Sequence, residues 1–243
     1  MVTVNIRAWT AELIATFALV FFGPVAVTVS LVIFKLEPAV NPASILLIGL
    51  THGLAIMLMI YAIGHVSGGH INPAVTIPMI ILKKIKLLDG IGYISFQIIG
   101  GILGAAAHAV ILPQGIEVKY GLNQPGGAIG HSEPTAFLVE VILTFFLLFV
   151  IFGVAVHHKA AVGWAGFAIG MTVAFDHFIG IALSGASMNP ARTFGPAVIM
   201  AIQGQAGAFN AHWVYWAGPI VGGLLGAFVY YYVIMNKKDR RKS

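Results

Sequence analysis

The chain has 243 residues, of which 59% are hydrophobic, 9% are charged and none is cysteine, and its formal net charge is +5. This composition excludes an ordinary water-soluble domain, because one soluble core could not hide so much apolar surface, and it predicts that lipid is the main solvent. The positive charge does not indicate a nucleic-acid partner, since five of the cations lie at 237–242, directly after an apolar segment, as in a cytoplasmic flank beside anionic lipid.

Six apolar segments are long enough to cross the hydrocarbon layer, which takes about 20 helical residues. They cover residues 10–33, 44–64, 91–112, 134–156, 162–183 and 211–235. Two shorter apolar runs, at 73–82 and 190–201, would reach only about half of the bilayer at about 1.5 Å per residue. Each run follows an Asn and begins with Pro, which suits a helix start with an Asn cap. The sequence therefore predicts an all-α polytopic membrane protein with six transmembrane helices and two re-entrant half-helices.

Positive charges indicate which side of the membrane each loop occupies. An even number of spans places both termini on one side, together with the loops at 83–90 and 157–161. That side would hold Arg7, Lys83, Lys84, Lys86, Lys159 and the cations of the tail. The other side would hold Lys35 and Lys119. This asymmetry predicts a multi-pass plasma-membrane protein with cytoplasmic N- and C-termini, and the short tails favour a prokaryotic membrane.

The two halves of the chain resemble each other. Residues 11–17 are similar to residues 139–145, and a glycine lies 19 positions before both Asn72 and Asn189. Three spans per half would give the second half the opposite orientation in the membrane. The sequence thus predicts a single channel domain over 1–243, built as an inverted 3+3 repeat. Its predicted parts are repeat one (about 1–112), a linker (about 113–133), repeat two (about 134–236) and a basic cytoplasmic tail (237–243).

Because the two halves of the chain would have opposite orientations in the membrane, the first turns of the two half-helices would meet at the membrane centre. Each helix N-terminus carries about half a positive charge and unsatisfied N–H donors. The amides of Asn72 and Asn189 would add donors at the same depth. A neutral hydrogen-bonding solute could pass there, whereas a cation or a relayed proton would be opposed. The alternative is that Asn-Pro-Ala only caps two helices, and the presence of two copies argues against it.

The chain resembles the aquaporin (major intrinsic protein) family over essentially its whole length. The resemblance rests on two Asn-Pro-Ala boxes, a following Arg, paired Glu residues and a motif at 212–219. These residues are Asn72, Pro73, Ala74, Asn189, Pro190, Ala191, Arg192, Glu12 and Glu140. The resemblance implies an hourglass pore in each subunit and a homotetramer, with the lipid bilayer as surroundings and with no cofactor, metal or catalytic residue.

The resemblance also implies a narrower filter on the outer side, formed by four positions. Counted from the Asn-Pro-Ala boxes, they are His52, His177, Ala186 and Arg192. Arg192 is permanently charged and would repel cations. A lone histidine in a helix is commonly a packing residue, and only the spacing favours the pore for these two. Family likeness further assigns loop support to Glu12 and Glu140, and to His70 in the first loop.

The permeant predicted from these residues is water, with protons and ions excluded. The glycerol-conducting branch of the family usually has Asp after the filter Arg and a basic residue four positions later, where this chain has Thr193 and Ala197. Glycerol, ammonia or hydrogen peroxide remain alternatives, because Ala186 gives back some of the space that two imidazoles would fill. A membrane scaffold or adhesion protein is less favoured, since neither Arg192 nor an Asn-Pro-Ala box is lost. The dispersed acidic and histidine residues do not indicate an enzyme.

Overall fold

The computed structural model describes residues 5–36 and 41–242, and every regular element within them is helical. The α-helices are α1 (Ile6–Thr28), α2 (Pro42–Ser67), α3 (Pro73–Ile81), α4 (Leu87–Ile111), α5 (Glu133–Ile151), α6 (Ala165–Gly180), α7 (Pro190–Ile202), α8 (Val214–Phe228) and α9 (Lys237–Arg240). Wider π-helical turns extend α1 through Val29–Ile33, α5 through Phe152–Val156 and α8 through Val229–Ile234. The predicted all-α fold class is confirmed.

Five of these helices have the length and apolar composition needed to span a membrane. They are Ile6–Ile33, Pro42–Ser67, Leu87–Ile111, Glu133–Val156 and Val214–Ile234. The sixth, α6, is shorter at 16 residues, so the prediction of a span over 162–183 was too long. The N–H groups of Leu183 and Ser184 both bond back to the carbonyl of Gly180, which ends the helix in turns that lead into the second re-entrant loop.

The half-helices α3 and α7 contain 9 and 13 residues and begin at Pro73 and Pro190. The side chain of Asn72 accepts a hydrogen bond from the N–H of Ala74 at 2.8 Å, and that of Asn189 accepts from the N–H of Ala191 at 3.0 Å. These caps satisfy donors that a helix start leaves open, and proline needs no such partner. The predicted start of each half-helix is thus observed.

Close helix packing depends on glycine at equivalent places in the two halves. Helix α1 packs along α4, α5 along α8, and α2 along α6. A β-carbon at Gly100 of α4 would collide with the carbonyl oxygen of Leu13, and one at Gly222 of α8 with that of Val141. Small residues allow backbones to approach in this way where water is absent. Large apolar side chains such as Leu58, Ile142 and Phe175 are exposed on the outside of the bundle, as lipid contact requires.

Candidate pore and its constriction

Two re-entrant loops, at 67–72 and 184–189, precede the half-helices and have the same unusual backbone conformation. In the first, φ is positive at Gly68, Gly69 and Ile71, with 58° at Ile71. In the second, φ is positive at Gly185, Ala186 and Met188, with 52° at Met188. A side chain makes this left-handed region unfavourable by about 1–3 kcal/mol per residue. The surrounding structure must therefore hold both loops in place.

Glu12 of α1 holds the first loop. One carboxylate oxygen accepts from the Ser67 hydroxyl at 2.6 Å and from the His70 N–H at 2.9 Å. The other accepts from the Ile71 N–H at 2.6 Å and from the Gln97 amide at 2.8 Å. The His70 ring lies 3.1 Å from the Thr76 hydroxyl in the first turns of α3. Glu12 is fully buried, and these donors are its hydrogen-bond partners in the described part of the chain.

Glu140 of α5 holds the second loop in the same way. It accepts from the Ser184 hydroxyl at 2.7 Å and from the N–H groups of Ser187 and Met188 at 2.8 and 2.7 Å. The hydroxyl of Tyr215 donates to the carbonyl of Ser184 at 2.8 Å. These contacts satisfy backbone groups of the loop that have no helical partner.

Sequence reasoning missed the two tyrosines that support these loops. The Tyr93 hydroxyl donates to the Ser67 carbonyl at 2.8 Å, which matches the Tyr215 contact with Ser184. Tyr93 and Tyr215 are separated by 122 positions, as are Gly100 and Gly222. Alignment of α4 with α8 on their glycines would have identified this pair.

Asn72 and Asn189 lie face to face at the point where α3 and α7 begin. The Asn72 amide donates to the Met188 carbonyl at 2.7 Å, and the Asn189 amide donates to the Ile71 carbonyl at 3.0 Å. Each side-chain oxygen caps its own helix, so both carboxamide orientations are fixed. A carboxamide has two N–H donors, so one on each Asn remains for the cavity that both residues line. Within the boxes, Pro73, Ala74, Pro190 and Ala191 are buried.

His52 and His177 stack on each other beside Arg192. Their ring centroids are 4.2 Å apart, and His52 Nε2 lies 3.1 Å from Arg192 Nη2. Each Nδ1 lies 2.8 Å from the carbonyl oxygen four residues earlier, of Ile48 and Val173 respectively. Because a carbonyl only accepts, Nδ1 carries the hydrogen in both rings, and Nε2 is the acceptor in the neutral form. His52 Nε2 accepts from the guanidinium, whereas His177 Nε2 has no hydrogen-bond partner among the described residues.

Arg192 is 3% exposed and is held by the connection between α4 and α5. Its Nη1 donates to the Gly121 carbonyl at 2.6 Å and also to the side-chain oxygen of Asn123. The Asn123 amide in turn donates to the Gly185 carbonyl at 2.7 Å. The segment 113–133, which the sequence predicts to be the linker between the two repeats, thus positions the guanidinium group of Arg192. No local motif marks Asn123, because its partners lie more than 60 positions away.

Three cavities follow one another along the axis of the bundle. One cavity, of about 290 Å³, is called the outer cavity after the predicted topology, and it shares Arg192 with a constriction that offers about 20 Å³ to water-sized molecules. The constriction shares Asn72 and Val173 with an inner cavity of about 210 Å³. His52, His177, Asn189 and Arg192 all line the constriction, whereas Ala186 is fully buried and does not. The arrangement is an hourglass whose waist, the constriction, has room for about one water molecule.

Among the described residues that line the constriction, two side-chain nitrogens, one acceptor and one donor, have no hydrogen-bond partner. His177 Nε2 is the acceptor and Arg192 Nε is the donor. A small neutral molecule that both donates and accepts hydrogen bonds can satisfy the two groups together. A cation would instead meet the guanidinium and the N-terminal ends of two half-helices. The geometry therefore suits a neutral solute of about the size of water.

Comparisons with known proteins agree with this architecture. The family model described as "Major intrinsic protein" matches residues 2–230. Aquaporin-4 of Rattus norvegicus is 42% identical over 195 residues, which are 79% of this chain and 57% of that protein. The lens fiber major intrinsic protein of Lithobates pipiens is 39% identical over 234 residues, which are 95% of this chain and 82% of that protein. Aquaporin-5 of Homo sapiens is 38% identical over 231 residues, which are 94% of this chain and 81% of that protein.

The chain is also similar in fold to a solved structure, although it covers only part of aquaporin-4. The chain spans only a little more than half the length of aquaporin-4, at 57%. An X-ray structure of the aquaglyceroporin from Plasmodium falciparum matches 99% of this chain and 100% of that one, with a TM-score of 0.82 at 22% sequence identity. At this identity the likeness shows a shared fold.

Proposed function

Because the chain belongs to the major intrinsic protein family, we propose that it is a passive water channel whose path runs through the three cavities. The observation that carries the proposal is the constriction of about 20 Å³, which is lined by His177 and Arg192; His177 Nε2 and Arg192 Nε have no hydrogen-bond partner among the described residues. Water can accept from the guanidinium and donate to the imidazole in this space. Lipid surrounds the exposed apolar side chains of a multi-pass membrane protein.

Exclusion of protons and ions follows from two separated features. At the meeting point of the half-helices, each Asn amide has one N–H tied to the opposite loop and one directed at the cavity. Both are donors, so a water between Asn72 and Asn189 must accept from both and cannot relay a proton in line. The helix N-termini add positive potential at this depth, and Arg192 adds a permanent charge in the constriction. A cation therefore meets a barrier that a neutral water does not.

Preference for water over glycerol is supported by the packing behind Arg192. Thr193 is fully buried, and its hydroxyl contacts Ser187 at 2.6 Å and Asn123 at 2.7 Å. Ala197 is also fully buried, and neither residue carries the charged side chain that is usual in the glycerol-conducting branch. The small volume of the constriction favours the same conclusion. Ala186 remains assigned to the filter by family likeness only.

The placement in the membrane extends the proposal. Arg7, the cations at 83–86, Lys159 and the tail lie on one side under the predicted topology, so we assign both termini to the cytoplasm. Equivalent loop conformations and equivalent glycine contacts support two inverted repeats at about 1–112 and 134–236. A homotetramer in the plasma membrane is part of the proposal by family likeness. A prokaryotic source stays a prediction from sequence, since the relatives named above are eukaryotic.

The proposal predicts fast water flow and slow glycerol flow in proteoliposomes. Stopped-flow light scattering would follow shrinkage in an impermeant osmolyte and reswelling in glycerol, with protein-free liposomes as the control. We expect water permeability at least about tenfold above the control, a barrier difference of about 1.4 kcal/mol, and glycerol uptake equal to the control. Glycerol uptake as fast as water equilibration would favour the neutral-solute alternative instead.

A further inference from the structure

A cluster of metal-ligating side chains lies away from the pore, between the end of α5 and the C-terminal segment. His157 and His158 follow the π-helical end of α5, and Asp239 belongs to α9. One ligand atom from each of the three lies within 4.8 Å of the other two. The sequence suggests only a solvated turn at 157–159, and the 80-residue separation from Asp239 conceals the cluster.

The contacts of the cluster orient its ligand atoms before any ion binds. The ring nitrogen Nδ1 of His157 is hydrogen-bonded to the Tyr230 hydroxyl at 3.1 Å, which fixes the ring, while its Nε2 is buried and has no hydrogen-bond partner in the described part of the chain. Asp239 is only 6% exposed, and its N–H is capped by the Asn236 side chain at 2.9 Å. Contacts of this kind beyond the ligands set ligand orientation in metal sites.

The distances from Asp239 to the two histidines are close to those between the ligands of a small tetrahedral ion. His157 Nε2 lies 3.6 Å from Asp239 Oδ2, and His158 Nε2 lies 3.5 Å from Asp239 Oδ1. Ligands at about 2.0–2.1 Å from a tetrahedral Zn²⁺ are separated from one another by about 3.3–3.4 Å. The two separations from Asp239 are close to this value, whereas the two histidine nitrogens, within 4.8 Å of each other, would have to approach further to share one ion, with water as a fourth ligand.

Lys159 would compete with such an ion for the carboxylate of Asp239. Its ammonium group lies 3.0 Å and 3.1 Å from the two carboxylate oxygens of Asp239. The Lys159 side chain is 60% exposed, so it can move into water when a divalent cation replaces its charge. Imidazole and carboxylate ligands together suit Zn²⁺ and related transition ions and do not suit Mg²⁺.

We propose that His157, His158 and Asp239 form a binding site for Zn²⁺ or a similar transition-metal ion, which ties the C-terminal segment to the connection between α5 and α6. His157 also lines an open cavity of about 640 Å³ that shares Gly68 with the inner cavity of the pore. The bound ion would thus fasten a loop at the inner mouth of the pore.

The test is Zn²⁺ titration of the full chain, purified without a histidine tag and treated with a chelator that is then removed. We expect one Zn²⁺ per chain by calorimetry and a higher melting temperature with Zn²⁺ but not with Mg²⁺. His158→Ala and Asp239→Asn should each weaken binding by at least about tenfold. Lys159→Ala should strengthen it, because the competing cation is gone. His65→Ala, which alters a histidine of the same cavity outside the cluster, should bind Zn²⁺ as the parent does.

Several outcomes would overturn the proposal. The absence of a stoichiometric Zn²⁺ site in the parent would do so, and this measurement does not depend on any variant folding. Binding that survives both His158→Ala and Asp239→Asn would place the ion elsewhere. Weaker binding in Lys159→Ala, or an equal rise in melting temperature with Mg²⁺, would show that the cluster acts only as an ion pair.

Discussion

Replacing Glu140 with alanine is expected to cause a large loss of stability. The change leaves the N–H groups of Ser187 and Met188 and the hydroxyl of Ser184 without their acceptor. An unsatisfied buried donor costs about 1–3 kcal/mol, and lipid offers no replacement. We expect a free-energy loss above about 4 kcal/mol, seen as a collapse in the yield of monodisperse protein and in the melting temperature in detergent.

A second glutamate in the same helix provides the matched control. Glu133 is bonded to the indole of Trp213 at 2.6 Å in an exposed position at the start of α5. Glu133→Ala should leave yield and melting temperature close to those of the parent, because exposed contacts contribute little. If Glu140→Ala melts at the parent temperature and still conducts, the assignment of loop support to Glu140 is wrong.

Replacing Arg192 with valine is expected to produce the largest change in selectivity. Valine is the residue at the corresponding position of the first repeat, Val75. The variant removes the only donor to His52 Nε2 in the described structure, widens the constriction and deletes its permanent charge. We expect glycerol uptake by proteoliposomes to rise by at least about tenfold, a barrier decrease of about 1.4 kcal/mol. A pH-sensitive dye inside the vesicles should also report a faster proton leak.

The control for the loss of a positive charge is Lys119→Ala. Lys119 lines the outer cavity and donates to Gln124 at 2.6 Å, but it does not line the constriction. This variant should exclude glycerol and protons as the parent does. Equal glycerol uptake by Arg192→Val and the parent would remove Arg192 from the filter.

The membrane spans and half-helices could be predicted from sequence because each has a strong local signal. Length and hydropathy mark the spans, and Asn-Pro marks the start of each half-helix. The end of α6 was missed because residues 181–183 are as apolar as the helix itself. Only the capture of Ser184 by Glu140, a contact between distant positions, shows that the helix must stop earlier.

The sequence predicts the side chains that line the constriction, but it does not predict the residue that holds Arg192 in place. Spacing from the Asn-Pro-Ala boxes placed His52, His177 and Arg192, and the structure brings these three side chains together. Spacing says nothing of Asn123, whose role depends on the connection at 113–133 folding back over α7. Long-range contacts of loops have no period or motif, so the sequence does not predict them. The place of Ala186 in the filter stays a prediction.

The central claim is that water crosses the membrane through the constriction and the inner cavity. Val173 of α6 lines both spaces and is 5% exposed, whereas Met171 on the same helix is 39% exposed toward the outside. Phenylalanine at 173 would fill the waist without removing a hydrogen-bonding side chain. Stopped-flow water permeability per reconstituted chain should fall at least about tenfold in Val173→Phe and stay at the parent value in Met171→Phe. Parent-like permeability in a folded Val173→Phe would show that water takes another path.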